Sequence, residues 1–185
     1  MEFKGSRVRV ILGIGNPGEE YEHTYHNAGL LFVQFFLRSV PKGSFKEREG
    51  ADVSLYTRPD TFSFALSRVY MNQSGSAAGE ALRLLKARPE ELTLVHDDTD
   101  IPLGSYKFAF GRGSAGHHGV QSVASSLQTK DFWRLRIGVR ADSSSPARPS
   151  PKAKDIVLRR MPKVKERILE NTFLSIARLH GFPLL

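Results

Sequence analysis

Near the N-terminus the sequence reads Val8-Arg9-Val10-Ile11-Leu12-Gly13-Ile14-Gly15-Asn16-Pro17-Gly18. Residues 8–14 are mostly apolar and β-branched, and Asn-Pro-Gly is a turn sequence, so the stretch predicts a strand that ends in a turn. From about residue 27 to residue 40 the apolar side chains recur at helical intervals instead. A strand followed by a helix is the opening of an α/β unit.

The same two patterns alternate along the rest of the chain. Apolar runs predict further strands at 53–56, 62–69, 92–96, 105–110 and 135–139. Helical spacing predicts helices at 77–85, 120–127 and 163–180, the last with Ile168, Phe173, Ile176 and Leu179 on its apolar side. An acidic turn, 97–100, is predicted directly after the 92–96 strand. The alternation predicts an α/β fold with a mixed, largely parallel twisted sheet flanked by helices on both faces.

Length and composition predict one domain. The chain has 185 residues, of which 40% are hydrophobic and 25% charged. Folding buries roughly 70% of the unfolded surface at such a length, enough for one core, so we expect a single domain over 1–185. Residues 142–154 are rich in Ser, Pro, Ala and Lys and are predicted to form a mobile surface loop. A domain linker is not expected there, because the chain beyond is too short for a second core.

Charge is distributed unevenly along the chain. Residues 1–104 carry 12 Lys and Arg against 14 Asp and Glu, whereas residues 105–185 carry 15 against 5. Such an asymmetry between halves suggests a polyanionic partner, either nucleic acid or an anionic membrane. A basic surface that serves solubility is the alternative.

The sequence contains no cysteine, which excludes disulfides, cysteine nucleophiles and thiolate metal sites. No signal peptide is predicted, because the apolar run after the basic start is short and is broken at Gly13. No stretch approaches the roughly 18–20 apolar residues of a membrane span. We therefore expect a cytoplasmic protein with no membrane partner.

The segment from Gly13 to Gly18 matches the dinucleotide-binding pattern G-x-G-x-x-G and follows a predicted strand. Two features oppose a nucleotide site. Pro17 removes a backbone N–H that would face a pyrophosphate. No Asp or Glu occurs between His23 and Lys46, where the ribose-binding acid would be expected. What the loop does offer is the Asn16 amide, at the end of the first strand.

Several polar side chains follow strands that should end at one edge of the sheet. They are Asn16, Tyr21, His26, Asn72 and Asp97. Because the carboxyl ends of parallel strands meet at one edge, residues far apart in sequence can form one site there. His26 with Asp97 has the chemistry of a general base oriented by a carboxylate, with water as the nucleophile.

Residues 111–119 contain four glycines together with His117 and His118. The segment can supply backbone donors to an anionic or carbonyl ligand at the start of the next helix, or it can be a flexible connection. A zinc site built from these histidines with His23 and His26 is a third interpretation. It is not favoured, since the H-E-x-x-H pattern is absent, and no metal is predicted.

Taken together, these segments closely resemble bacterial-type peptidyl-tRNA hydrolase over residues 8–140. The matching motifs are Gly15-Asn16-Pro17-Gly18-x-x-Tyr21-x-x-Thr24-x-His26-Asn27-Ala28-Gly29, Met71-Asn72-x-Ser74-Gly75, His96-Asp97-Asp98-x-Asp100-x-Pro102-x-Gly104, Gly116-His117-x-Gly119 and Arg134-Leu135-Arg136-Ile137-Gly138. The resemblance implies hydrolysis of the ester between a peptide and the 3′-terminal ribose of tRNA, which recycles tRNA from abortive translation. It also implies a monomeric enzyme with no cofactor and no protein partner, and selects tRNA as the polyanion.

The resemblance assigns roles by position. His26 would activate water, Asp97 would orient it, and Asn16 would position the histidine or the ester. The peptide and the groove would be contacted by Tyr21, Met71, Asn72, His117 and His118. Arg136 would hold a tRNA phosphate.

The chain departs from the family pattern at two positions. His118 stands where most members have an Asn that shares in substrate or water binding. A ring nitrogen of histidine either donates or accepts one hydrogen bond, whereas an amide group can do both at once. Ala109 stands where the family usually has a phosphate-binding Lys, and Lys107 or Arg112 is the predicted substitute. A catalytically inactive relative that binds RNA is the alternative function.

Overall fold

A computed structural model describes residues 2–3, 6–7, 9–59, 62–140 and 157–182. The predicted loop 142–154 lies outside the described residues. Nearest the N-terminus, Glu2–Phe3 (β1) and Ser6–Arg7 (β2) form an antiparallel pair. Among the described residues, no helix is both long enough and apolar enough to cross a membrane.

A seven-stranded mixed sheet forms the centre of the described structure. Its strands are β3 (Val10–Gly13), β4 (Lys46–Glu49), β5 (Val53–Thr57), β6 (Ser63–Ser67), β7 (Leu92–Pro102), β8 (Tyr106–Phe110) and β9 (Trp133–Arg140). They lie in the order β4-β5-β6-β3-β7-β9-β8. The four central strands, β6, β3, β7 and β9, are parallel, and the strands outside them pair antiparallel. The predicted mixed α/β sheet is confirmed.

Helices cover both faces of this sheet, as predicted. They are α1 (Ala28–Arg38), α2 (Ser74–Leu85), α3 (His118–Leu127) and α4 (Lys163–His180). Successive residues of a strand point to opposite faces, so Ile11 packs with the α1 and α4 core while Val10 and Leu12 pack with the α2 and α3 core. The central strands are buried on both faces, which explains their continuous apolar sequences.

The strands depart from the predictions at two places. β4 was not predicted, because all its residues are exposed and its sequence Lys-Glu-Arg-Glu has no apolar alternation. The predicted acidic turn at 97–100 is wrong, since β7 continues to Pro102. Asp97 and Asp98 pair with Ile137 and Gly138 of β9, so pairing with a neighbouring strand overrides the low strand propensity of aspartate.

The predicted helix 163–180 is confirmed as α4, but its apolar side is partly wrong. Leu179 is 70% exposed, whereas Phe173 and Ile176 are buried as expected. The buried stripe begins at Leu169 and continues through Ala177. A helical face covers only part of the circumference, and Leu179 falls outside it.

The glycines of the Gly13 to Gly18 segment serve packing rather than nucleotide binding. A Cβ on Gly13 would collide with the Gly29 carbonyl, and a Cβ on Gly29 would collide with the Val95 carbonyl of β7. The first turn of α1 therefore lies directly against β3 and β7. This close approach places His26, two residues before the helix, at the carboxyl end of β3 and beside Asp97 in the middle of β7.

Candidate active site

A cavity of about 740 Å³ opens at the carboxyl ends of the central parallel strands. Seven of the predicted site residues line it: Asn16, His26, Met71, Asn72, Asp97, His117 and His118. They come from loops after β3 and β6, from β7, and from the start of α3. The predicted convergence at one sheet edge thus agrees with the geometry.

His26 and Asp97 form a direct pair at the bottom of the cavity. The imidazole Nδ1 lies 2.8 Å from Asp97 Oδ1. The carboxylate side chain is 2% exposed and that of His26 is 15% exposed. A carboxylate accepts, so His26 carries its proton on Nδ1, and its Nε2 lone pair has no hydrogen-bond partner among the described residues. A free imidazole lone pair beside a cavity can accept a proton from water.

Asp97 accepts a second hydrogen bond on the same oxygen. His117 Nε2 lies 2.9 Å from Asp97 Oδ1. The centroids of the His117 and His26 rings are 5.2 Å apart. Burial alone would raise the pKa of Asp97, but the charge and hydrogen bond of His117 and then the hydrogen bond of His26 outweigh it, so the net pKa is lowered. Asp97 is therefore the permanently ionised member of the cluster at neutral pH.

His117 has a protein partner at each ring nitrogen. Its Nδ1 accepts a hydrogen bond of 3.3 Å from the Val120 N–H and so caps α3. The ring proton must then reside on Nε2, which donates to Asp97. Contact between His117 and a substrate would require one of these bonds to open.

Asn16 and Asn27 connect the loop after β3 with the loop before α2. The Asn27 side chain accepts from the Asn16 N–H at 2.8 Å and donates to the Asn16 carbonyl at 2.9 Å. Asn16 Oδ1 in turn accepts the Met71 N–H at 2.8 Å. Because its oxygen is engaged, the NH₂ end of the Asn16 amide is the part that can donate to a ligand in the cavity.

The remaining walls come from the loop before α2 and from the segment before α4. Asn72 lies exposed in the short 3₁₀ turn Met71–Gln73 that precedes α2. Tyr21 is not among the lining residues but contacts the ring of Tyr70, which lines the cavity, at a centroid distance of 6.5 Å. Val157 and Leu158, before α4, complete a wall that the sequence did not predict.

A buried histidine lies behind this cluster. The His96 ring packs edge-on against the His117 ring, with 4.6 Å between the ring centroids. The Nδ1 of His96 donates to the backbone carbonyl of Asp97 at 2.6 Å. Burial lowers the pKa of His96 well below its usual value, and the neighbouring His117 adds to the effect. His96 is therefore a neutral packing partner of the cluster.

His26, Asp97 and His117 are also the groups that could approach a metal ion, since their donor atoms lie within 4.8 Å of one another. Hydrogen bonds to Asp97 Oδ1 account for this convergence without an ion. His118 is exposed, and His23 pairs with Glu166 at 3.1 Å, so the four-histidine arrangement considered from the sequence is not formed.

Comparison with known proteins identifies the family. The family model described as peptidyl-tRNA hydrolase matches residues 10–181. The chain belongs to the peptidyl-tRNA hydrolase family. Within the described residues, the match includes every strand of the seven-stranded sheet and the helices α1 to α4.

Bacterial peptidyl-tRNA hydrolases are similar to this family member in sequence and in structure. One from Neisseria meningitidis is 41% identical over 135 residues, covering 71% of this chain and 70% of the relative. One from Thiobacillus denitrificans is 39% identical over 131 residues, covering 71% and 64%. The crystal structure of the Acinetobacter baumannii enzyme is 26% identical, with a TM-score of 0.77 over 93% of this chain and 87% of that one.

The predicted phosphate-binding residues of this peptidyl-tRNA hydrolase family member are not among the residues that line the cavity. They are Lys107, Arg112 and Arg136. Arg136 of β9 donates from Nε to Asp98 Oδ2 at 2.7 Å, and Asp98 does line the cavity. Lys107 of β8 lies directly opposite Arg136 in the antiparallel pair. Ala109 lies opposite Arg134, whose buried guanidinium donates to the Gly113 carbonyl at 2.8 Å.

Proposed function

We propose that this chain hydrolyses the ester that joins a peptide, or an N-blocked amino acid, to the 3′-terminal ribose of tRNA. Family membership supports this activity. The observation that carries it is the His26–Asp97 pair at 2.8 Å, with an unpartnered imidazole nitrogen beside the cavity. An ester with a ribose leaving group needs a base and hydrogen-bond donors, both of which this site supplies.

In this mechanism His26 Nε2 removes a proton from water while the water oxygen attacks the ester carbonyl carbon. Asp97 stabilises the imidazolium that forms. The tetrahedral intermediate then collapses, the bond to the ribose oxygen breaks, and that oxygen takes the proton from His26. The products are a free peptide carboxylate and tRNA with an intact ribose.

The amide side chains bind and orient the substrate. Asn16, with its oxygen held by the Met71 N–H, presents its NH₂ group to the ester oxygen or to the developing oxyanion. Asn72 hydrogen-bonds the peptide main chain, and Tyr21, Met71 and the 117–118 segment shape the groove. Polar groups that bind a peptide bond disfavour an ester with a free amino group, because they would be left unpaired.

The test uses purified protein with N-acetyl-aminoacyl-tRNA and with unblocked aminoacyl-tRNA, followed by release of the labelled acyl group. We expect hydrolysis of the blocked substrate and at least about tenfold slower hydrolysis of the unblocked one, the discrimination that one well-formed hydrogen bond provides. No hydrolysis of the blocked substrate would instead favour the inactive RNA-binding relative.

Lys107 and Arg136 are our proposed tRNA phosphate site. Arg136 is paired with Asp98, whereas Lys107 directly opposite it has no salt-bridge partner among the described residues, so this pair of cations keeps a positive charge that favours a bound anion. Further cations lie nearby: burial is the main cause that lowers the pKa of Arg134, the charges of Arg136 and Arg112 lower it further, and the charge of Asp98 opposes them. Lys107 thus supplies the charge that the family places at position 109, while Arg112 is the second candidate.

We predict that Arg136→Ala weakens tRNA binding and reduces the slope of log K against log salt by about one, as the loss of one phosphate contact should. The matched control is Arg48→Ala, which removes an exposed arginine from β4 at the opposite edge of the sheet. Titrations of tRNA at several salt concentrations measure both slopes. An Arg136→Ala slope equal to that of wild type would remove Arg136 from the interface.

His118→Asn should leave kcat/KM equal to that of wild type or higher. His118 is exposed at the first position of α3, lines the cavity, and has no hydrogen-bond partner among the described residues. The substitution therefore breaks no internal contact and restores an amide to the groove. Steady-state hydrolysis of N-acetyl-aminoacyl-tRNA measures the effect. A loss of tenfold or more would show that the imidazole has a role of its own.

A cytoplasmic location, a monomeric state and a single domain over 1–185 stay predictions.

A further inference from the structure

One carboxylate oxygen serves two histidines in this site. Asp97 Oδ1 accepts from His26 Nδ1 at 2.8 Å and from His117 Nε2 at 2.9 Å. Charge-assisted hydrogen bonds to one oxygen share its negative charge, so each weakens the hold of the other. The charge that His26 meets is therefore set partly by His117.

His117 is fixed in the orientation that this sharing requires. The Val120 N–H occupies its Nδ1, so the neutral ring can present only an N–H to Asp97. The same bond ties the ring to the start of α3, and the His96 ring packs against its other side. His117 is held as a donor by contacts that do not involve a substrate.

We propose that His117 is a positioning residue for the His26 base, acting through the shared Oδ1 of Asp97. The inference rests on the proposed function, in which His26 is that base. The His117 N–H holds Asp97 Oδ1 within hydrogen-bond distance of His26 Nδ1 and takes up part of the carboxylate charge. Without it, the whole charge of Asp97 would act on His26 and favour the protonated ring, which cannot accept a proton from water.

Other ionisable groups near His26 do not donate a hydrogen bond to Asp97 Oδ1. Asp98 and Asp100 of β7 and His118 of α3 line the same cavity. Glu166 of α4 pairs with His23, three residues before His26. Among the described residues, only His26 and His117 donate hydrogen bonds to the Asp97 carboxylate, since His96 donates to the backbone carbonyl of Asp97. A change confined to His117 therefore alters the charge that reaches His26 through Asp97.

Two substitutions separate the contacts of His117. In His117→Asn the short amide oxygen falls near the Nδ1 position, where it can accept the Val120 N–H, and asparagine is a favoured helix cap, but its NH₂ does not reach Asp97. In His117→Gln the longer side chain places an N–H near the Nε2 position and leaves the helix cap unfilled. Thermal melting checks that both variants fold.

The readout is the acid limb of the pH profile of kcat/KM. We expect this limb to move to higher pH by about one unit in His117→Asn, the shift that follows from losing one charge-assisted bond. The limb of His117→Gln should lie close to that of wild type. A His117→Asn limb that coincides with wild type, or a His117→Gln limb displaced equally, would overturn the proposal.

A second measurement needs no turnover. The ring ¹⁵N signals of His26 report its protonation in the free protein, and comparison with His26→Ala assigns them. The pH midpoint of these signals should move to higher pH in His117→Asn and should stay at the wild-type value in His117→Gln. If wild type hydrolyses no peptidyl ester, the proposed function fails while this NMR result still decides whether His117 acts through Asp97. Unmoved ¹⁵N midpoints would contradict the link itself.

Discussion

His26→Ala should abolish nearly all hydrolysis of N-acetyl-aminoacyl-tRNA, lowering kcat/KM by about 10²- to 10⁴-fold. The substitution removes the nitrogen that takes the proton from water. Asp97 keeps the His117 hydrogen bond, so the buried carboxylate is not left without a donor. Single-turnover rates with enzyme in excess measure the chemical step directly.

His23→Ala is the matched control for this change. His23 lies three residues earlier on the same loop, and its partner is Glu166 rather than Asp97. Its activity should stay within a few-fold of wild type. Full turnover by His26→Ala, or an equal loss in His23→Ala, would show that His26 is not the base.

Asp97→Asn should lower kcat by roughly 10²- to 10³-fold with little change in KM, since the effect falls on the chemical step. The amide oxygen can still accept from both imidazoles, so the arrangement of the rings is retained. The negative charge is lost, and the imidazolium that forms as water is deprotonated loses its stabilising partner. Steady-state kinetics separate kcat from KM.

Asp131→Asn provides the control for Asp97→Asn. Asp131 is exposed just before β9, at the end of the sheet away from the cavity. Its activity should match that of wild type. An Asp97→Asn variant with wild-type kcat would mean that the carboxylate neither orients nor stabilises His26.

Much of this architecture could be predicted from the sequence, because strands that are buried on both faces of the sheet have continuous apolar sequences. The run ending at Gly13 and the run 92–96 both lie in central parallel strands, and the residues that follow these two runs, Asn16 and Asp97, line one cavity although β7 itself continues to Pro102. His26 followed from its place before α1. These predictions needed only local periodicity and the rule that strand ends converge.

What escaped prediction depends on contacts between distant segments. His117 lies 20 residues beyond Asp97, and no periodicity shows that it shares the Oδ1 of that carboxylate. The Asn27 amide holds the backbone of Asn16, 11 residues earlier, and looked like one polar residue among several. Val157 and Leu158 enter the cavity from a part of the chain with no matching motif.

The segment from Gly13 to Gly18 shows why a glycine pattern needs its context. Its spacing fits a dinucleotide fingerprint, yet Gly13 is required by the close approach of Gly29 at the start of α1. Both uses of glycine permit close backbone approach, one to a ligand and one to a helix. The absence of a downstream acid and the presence of Pro17 argue against the use of these glycines to bind a dinucleotide.

In the proposed mechanism, water activated by His26 attacks the ester carbonyl carbon. Hydrolysis of N-acetyl-aminoacyl-tRNA by wild type and by His26→Ala in H₂¹⁸O, followed by mass spectrometry of both products, tests which bond breaks and whether His26 is needed to break it. The mechanism predicts one ¹⁸O atom in the released carboxylate and none in the terminal ribose of the tRNA. Failure of wild type to release the acyl group, or ¹⁸O in the ribose, would contradict it.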